Sequence, residues 1–142
     1  MRQVKPHGAL YAACSTHPAQ GAAVGRAATA LDLPMLCAAG SSFADSLGGR
    51  AVPEAFVDRA FGPAGALVPR SEPGAVLHDP DVVVARAVRL AQTGEVVAVD
   101  GSVLRLAPQS LCVHGDTPGA VGLARQVRTA LAGAGVELHA FS

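Results

Sequence analysis

Apolar side chains recur every three to four positions in three stretches of the chain, which is the spacing of one buried helix face. The first stretch covers residues 18–31 and has a proline in its first turn. The second, residues 80–93, follows an aspartate and ends at a glycine, and the third covers residues 118–132. The pattern predicts three helices, and Ser41 or Ser42 is predicted to cap a shorter one.

Short apolar runs between these helices are typical of buried strands. Three of them lie at residues 33–38, 110–113 and 136–141. Two further runs, 95–99 and 102–106, flank Asp100-Gly101, a pair that accepts the positive φ angles of a type I′ hairpin turn. The alternation of strands and helices predicts an α/β fold with mainly parallel strand pairing.

The composition favours a single domain over residues 1–142, because 50% of the residues are hydrophobic and 15% are charged. The 11 Lys and Arg balance the 11 Asp and Glu, so we expect neither nucleic acid nor a membrane as a partner. No apolar stretch could span a bilayer, and the run at residues 8–13 is too short for a signal peptide. The three cysteines form no metal-binding pair, which favours buried free thiols in a cytoplasmic protein.

Three polar clusters follow predicted strands, at residues 4–11, 54–59 and 112–118. Ligands of α/β proteins bind beyond the carboxyl ends of strands, so these clusters are expected to converge on one site. The chain has no GxxxxGK[ST], GxGxxG, GxSxG or HExxH motif. The residue chemistry alone therefore predicts an α/β domain with a site made of His, Asp, Lys and Arg.

Several of these residues also have a structural explanation. His7 follows a proline and is a candidate loop cap. Asp58 and Arg59 are neighbours and could form a surface ion pair. Asp116 lies two residues before a proline and is a candidate N-cap of the last helix.

Five motifs resemble, in order, those of the LamB/YcsF family, which is also known as the A subunit of 5-oxoprolinase. They are VKPHGALY at residues 4–11, EAFVDR at 54–59, LVPR at 67–70, GAV at 74–76 and CVHGDTP at 112–118. The chain departs from the family at Ala12, where the family has Asn, and at Val57, where it has Ala. The resemblance extends over essentially the whole chain.

The resemblance implies part of a deformed (β/α) barrel of the type found in polysaccharide deacetylases. Family members carry a comparable N-terminal half ahead of the VKPHGALY motif, so the chain is expected to correspond to the C-terminal portion of that barrel. Strand edges at residues 33–38 and 95–99 would then be open. We expect self-association through these edges, or binding of a separate N-terminal half.

The resemblance also implies a reaction, the ATP-dependent hydrolysis of 5-oxo-L-proline (pyroglutamate) to L-glutamate. Family members catalyse this reaction together with 5-oxoprolinase subunits B and C. Mg²⁺ is expected with the ATP, and no tightly bound metal is expected. The reaction needs cations for carboxylate and phosphate groups and a base that activates water.

On the matching motifs, the resemblance implies two sets of site residues. The catalytic set, for base chemistry and proton transfer, is Asp58, His114, Asp116 and His7. The substrate- or phosphate-binding set is Lys5, Arg59, Arg70 and Glu54. We expect one concave surface to be lined by His7, Asp58, Arg59, His114 and Asp116.

Two alternatives stay open. The chain could be a non-catalytic fragment that docks on a separate N-terminal half, and activity of the chain alone is not expected. It could instead be a metal-dependent, deacetylase-like hydrolase with His114 and Asp116 as ligands, although such a site needs further ligands.

Overall fold

The computed structural model describes residues 2–116 and 118–140. Helices and strands alternate along them: α1 (Gly8–Thr16), α2 (Pro18–Ala30), β1 (Met35–Ala38), α3 (Ser42–Leu47), β2 (Ala51–Phe56), α4 (Pro80–Thr93), β3 (Glu95–Val97), β4 (Val103–Arg105), β5 (Ser110–Cys112) and α5 (Ala120–Gly133). The alternation confirms the predicted α/β class. Within the described residues, no helix has the length and apolar character needed to cross a bilayer.

Contacts between residues divide the chain into two compact units. The first comprises residues 2–54, 108–110 and 140, and the second comprises 55–107, 111–116 and 118–139. The assignment of residues 1–142 to a single domain stays a prediction.

In the first unit, β1 and β2 pair in parallel. The register joins Met35 with Ala51, Leu36 with Val52, Cys37 with Pro53 and Ala38 with Glu54. Val4 lies on the other side of β1, where its N–H donates to the Pro34 carbonyl and its carbonyl accepts from the Leu36 N–H. Parallel pairing is confirmed here, and the expectation of an open edge along residues 33–38 is wrong where Val4 covers it.

Small residues let the helices of the first unit pack closely around β1. A Cβ atom at Gly21 of α2 would lie only 2.5 Å from the Cys14 carbonyl oxygen of α1. The predicted Ser41 cap is confirmed, since its side chain accepts the Ala44 N–H at the start of α3. Cys14 and Cys37 are buried free thiols, as predicted, and burial raises the pKa of Cys37 to about 11.

In the second unit, α4 has the ends that the sequence predicts. The Asp79 carboxylate accepts the Asp81 N–H at 2.9 Å, and Gly94 ends the helix with φ of 69°. The side chains of Val83, Ala87 and Leu90 are buried on one helix face. The helix packs mainly against α5 and β3.

The hairpin of β3 and β4 is confirmed, but its turn is different from the predicted type I′ turn. The Gly101 N–H donates to the Ala98 carbonyl, and the Ala98 N–H donates to the Ser102 carbonyl. Gly101 has φ of 85°, whereas Asp100 has no positive φ. The loop therefore holds three residues and ends in a glycine bulge. The Asp100 carboxylate reinforces it by accepting both the N–H and the hydroxyl of Ser102.

Two predictions near the end of the chain are wrong. Residues 136–140 form no strand, because the Val136 N–H turns back to the Leu131 carbonyl at the end of α5; Phe141 lies outside the described residues. Asp116 does not cap α5, which begins at Ala120 after Gly119.

We expect Gly21→Ala to destabilise the protein by about 1–3 kcal/mol, because the new methyl group meets a backbone oxygen that cannot move aside. Gly25→Ala is the matched control. It lies on the same helix, and its Cβ would meet the flexible tip of Leu47 at 3.2 Å and the Phe43 ring at an ordinary contact distance of 3.9 Å. Urea unfolding of both variants measures the difference. Equal stability of the two variants would contradict the importance of the Gly21 contact.

Candidate functional site

The Asp58 carboxylate holds His114 at two points in the second unit. Oδ1 lies 2.9 Å from the ring Nδ1, and Oδ2 accepts the backbone N–H of His114 at 2.8 Å. The side chain of Asp58 is 3% exposed and that of His114 is 23% exposed. A carboxylate accepts hydrogen bonds, so we assign the ring proton to Nδ1. In the neutral imidazole, Nε2 is then the nitrogen with a free lone pair.

The two ends of this pair are positioned by backbone hydrogen bonds. The Val57 N–H donates to the carbonyl of Cys112, the last residue of β5, at 3.1 Å. The Leu77 N–H donates to the Asp58 carbonyl at 2.9 Å. The Phe56 ring stacks on the His114 ring, with centroids 5.2 Å apart and planes inclined by 20°. The imidazole is thus fixed by a carboxylate and by an aromatic face.

Arg59 is buried beside Asp58 in sequence, so the explanation of these two residues as a surface ion pair is wrong. Its Nε donates to the Ala75 carbonyl at 3.1 Å, and its Nη2 donates to the Val68 carbonyl at 2.6 Å. Burial is the main cause that lowers the pKa of Arg59, and the nearby charge of Arg70 adds to it. Two of its donors are therefore committed to the backbone.

Arg70 and Asp116 form an exposed ion pair in the same unit. The Nη1 and Oδ2 atoms lie 3.1 Å apart, and the two side chains are 47% and 63% exposed. The charges of Asp58, Arg70 and Asp116 all act on Arg59. Five of the eight predicted site residues therefore belong to one cluster in the second unit: Asp58, Arg59, Arg70, His114 and Asp116.

The other three predicted residues lie in the first unit. The Lys5 ammonium is 2.7 Å from both carboxylate oxygens of Glu54, whose side chain is 2% exposed. Lys5 also lies 5.9 Å from the centre of the Tyr11 ring. His7 is exposed at the N-cap position of α1, but its side chain makes no capping hydrogen bond. A shared surface of His7 with the second cluster, and anion binding by Lys5, stay predictions.

Sequence reasoning did not assign two residues that support the cluster. Phe56 stacks on His114, and the signal for it was an aromatic residue two positions before Asp58. Arg86 of α4 donates from Nη1 to the Arg59 carbonyl at 2.6 Å, and burial lowers its pKa. The sequence clue to Arg86 was its place three residues after Val83, next to the buried face of the helix.

A metal site has no support among residues 2–116 and 118–140. No group of three or more His, Cys, Asp or Glu side chains is arranged there to hold a metal ion. His114 and Asp116, the two ligands of the deacetylase-like alternative, instead contact Asp58 and Arg70. Thr117, in the same motif, lies outside the described residues.

The fold and the cluster define an α/β protein whose histidine is oriented by a buried carboxylate, an arrangement used by enzymes that transfer protons. The sequence model of the LamB/YcsF family matches residues 1–142, and the chain belongs to that family. This membership confirms the predicted resemblance.

Curated relatives are 54% and 50% identical to this chain over the aligned residues. It is 54% identical to the A subunit of a 5-oxoprolinase from Mycobacterium avium (strain 104), with 97% of this chain and 57% of the relative covered. It is 50% identical to the corresponding 5-oxoprolinase subunit from Kocuria rhizophila, with 100% and 58% covered. The chain thus spans little more than half the length of the relatives it matches.

A solved structure has the same fold over nearly the whole chain. The crystal structure of a lactam utilization protein from Thermus thermophilus superimposes with a TM-score of 0.89 and 38% sequence identity. The match covers 99% of this chain and 58% of the other. The prediction of an α/β fold of the LamB/YcsF type is confirmed.

We expect Lys5→Met to lower the free energy of unfolding by about 3 kcal/mol, because the Glu54 carboxylate would stay buried without its cation. The double variant Lys5→Met/Glu54→Gln should recover most of that loss, since no buried charge remains. Chemical denaturation of wild type, both single variants and the double variant measures the coupling. A double variant as unstable as Lys5→Met would contradict this explanation.

Proposed function

We propose that this chain carries the lactam-hydrolysing chemistry of the A subunit of a 5-oxoprolinase. Water would add to the ring carbonyl of 5-oxo-L-proline, and cleavage of the ring C–N bond would give L-glutamate. The family, the names of the relatives and the name of the structural neighbour support a hydrolase of cyclic amides. The observation that carries the proposal for this chain is the contact of the buried Asp58 carboxylate with His114 Nδ1.

In this proposal, His114 is the general base. Its Nε2 takes a proton from water as the water oxygen attacks the ring carbonyl, and the Asp58 carboxylate stabilises the imidazolium that forms. The same Nε2–H then protonates the ring nitrogen as the C–N bond breaks. Asp58 acts through His114, because both of its oxygens already accept hydrogen bonds from that residue.

ATP is proposed as the co-substrate. It would transfer its γ-phosphoryl group to the lactam oxygen, leaving ADP, and so make the ring carbon more open to attack by water. Cleavage of the C–N bond would then give γ-glutamyl phosphate, and a second water would release phosphate to give L-glutamate. Arg70 fits a phosphate oxygen, because its guanidinium is partly exposed and its ion-pair partner in the described part of the chain is an exposed carboxylate. No ligand of Mg²⁺ is assigned, since the described residues hold no group of three metal-binding side chains.

Partner subunits and a cytoplasmic location complete the proposal. The names of the relatives designate one lettered subunit, which implies further subunits in their complexes. We propose that 5-oxoprolinase subunits B and C assemble with this protein. The buried free thiols of Cys14 and Cys37 fit a reducing compartment, where ATP is also available.

His114→Gln and Asp58→Asn should each lower 5-oxoproline-dependent glutamate formation by about 10²–10⁴-fold, because one removes the base and the other removes its orienting carboxylate. The assay uses the protein assembled with its partner subunits and ATP. His139→Gln is the matched control, because His139 is an exposed histidine of the same unit that contacts only Glu137 among the described residues.

Two outcomes of this assay would contradict different parts of the proposal. Wild-type turnover in His114→Gln would exclude the proposed base. Absence of glutamate from the wild-type assembly would contradict the proposed function and support a non-catalytic fragment instead.

A further inference from the structure

Arg70 is presented by two consecutive turns. The Glu72 N–H donates to the Pro69 carbonyl at 2.9 Å, which places Arg70 at the second position of the first turn. The Ala75 N–H donates to the Glu72 carbonyl at 3.2 Å, and Gly74 supplies the positive φ, 77°, that the second turn requires. The double turn therefore covers residues 69–75.

Arg59 fixes both ends of this double turn. Its guanidinium donates to the carbonyls of Val68, just before the first turn, and of Ala75, at the end of the second. The backbone of Ala60 also bonds to both ends. Its N–H donates to the Ala75 carbonyl, and its carbonyl accepts from the Val68 N–H. Arg86 in turn holds the Arg59 carbonyl. A buried scaffold thus positions an exposed arginine side chain.

The partner of Arg70 is weakly held in comparison with that scaffold. Asp116 is 63% exposed, and within residues 2–116 and 118–140 its carboxylate contacts one guanidinium nitrogen, at 3.1 Å. Exposed ion pairs of this kind contribute little to stability and are screened by salt. Asp116 also lies two residues after His114, so the contact is made beside the proposed base.

We propose that Asp116 occupies the place of a substrate oxyanion on Arg70, and that the carboxylate of the lactam or a phosphoryl group displaces it. Asp116 is then a competing internal ligand and no general base. Arg59 is the positioning residue that keeps Arg70 in place for the exchange. This inference rests on the proposed function for the identity of the ligand.

Titration of the protein with inorganic phosphate and, separately, with 5-oxo-L-proline tests the exchange. Binding is followed at low ionic strength by the backbone amide NMR signals of Glu72 and Ala75, which every variant has, and also by the Arg70 Nε–H signal in the variants that keep Arg70. Asp116→Asn should bind one or both anions about three- to tenfold more tightly than wild type, because the competing carboxylate is gone. Arg70→Gln should abolish binding, and Arg70→Lys should restore part of it, since Lys keeps the charge but loses the planar fork.

Asp81→Asn controls for the general effect of removing one negative charge, because Asp81 is an exposed residue of the same unit. Tightening in the phosphate arm alone identifies a phosphoryl ligand, and tightening in the 5-oxoproline arm alone identifies a carboxylate. The inference is overturned if Asp116→Asn binds neither anion more tightly than Asp81→Asn, or if Arg70→Gln binds as wild type does. No turnover is measured, so such a result leaves the chemistry of Asp58 and His114 to be judged by its own assay.

Discussion

The buried carboxylate of Asp58 is the group on which the rest of the second unit depends. A charge that is almost wholly removed from water must be satisfied by hydrogen-bond donors, or it destabilises the fold. His114 provides two such donors, one from its backbone and one from its ring. The requirement that keeps the carboxylate stable therefore also sets the orientation of the imidazole.

A second buried charge lies next in the chain and is satisfied differently. Asp58 lies in the turn after β2 and contacts His114, whereas Arg59 pairs with Val76 and contacts the carbonyls of Val68 and Ala75. One short segment consequently orients the proposed base and fixes the loop that carries Arg70. In the first unit, the buried charge of Glu54 is neutralised by an ion pair with Lys5.

Local sequence signals were sufficient for much of the fold. The Asp-Pro start and glycine end of α4, the serine cap of α3 and the hairpin of β3 and β4 all follow from the chemistry of one or two residues.

Other features could not be predicted from local signals. The predicted type I′ turn was wrong because the loop takes three residues, with the Asp100 carboxylate bonded to Ser102. The strand prediction was wrong at residues 136–140, because apolar alternation does not show that the Val136 N–H bonds to the Leu131 carbonyl at the end of α5. For the site, the motifs predicted eight residues, five of which lie in one cluster of the second unit. They did not predict that Asp58 and Arg59 are buried, because a pair of adjacent opposite charges resembles a solvated surface pair.

The most direct test of the central claim is the tautomer of His114. Long-range ¹H–¹⁵N NMR correlations of the ring distinguish a proton on Nδ1 from one on Nε2 at a pH where the imidazole is neutral. Because the Asp58 carboxylate accepts from Nδ1, we expect the Nδ1–H tautomer in the wild type and its loss in Asp58→Asn. A neutral His114 that carries its proton on Nε2 in the wild type would contradict the orientation on which the proposed chemistry depends.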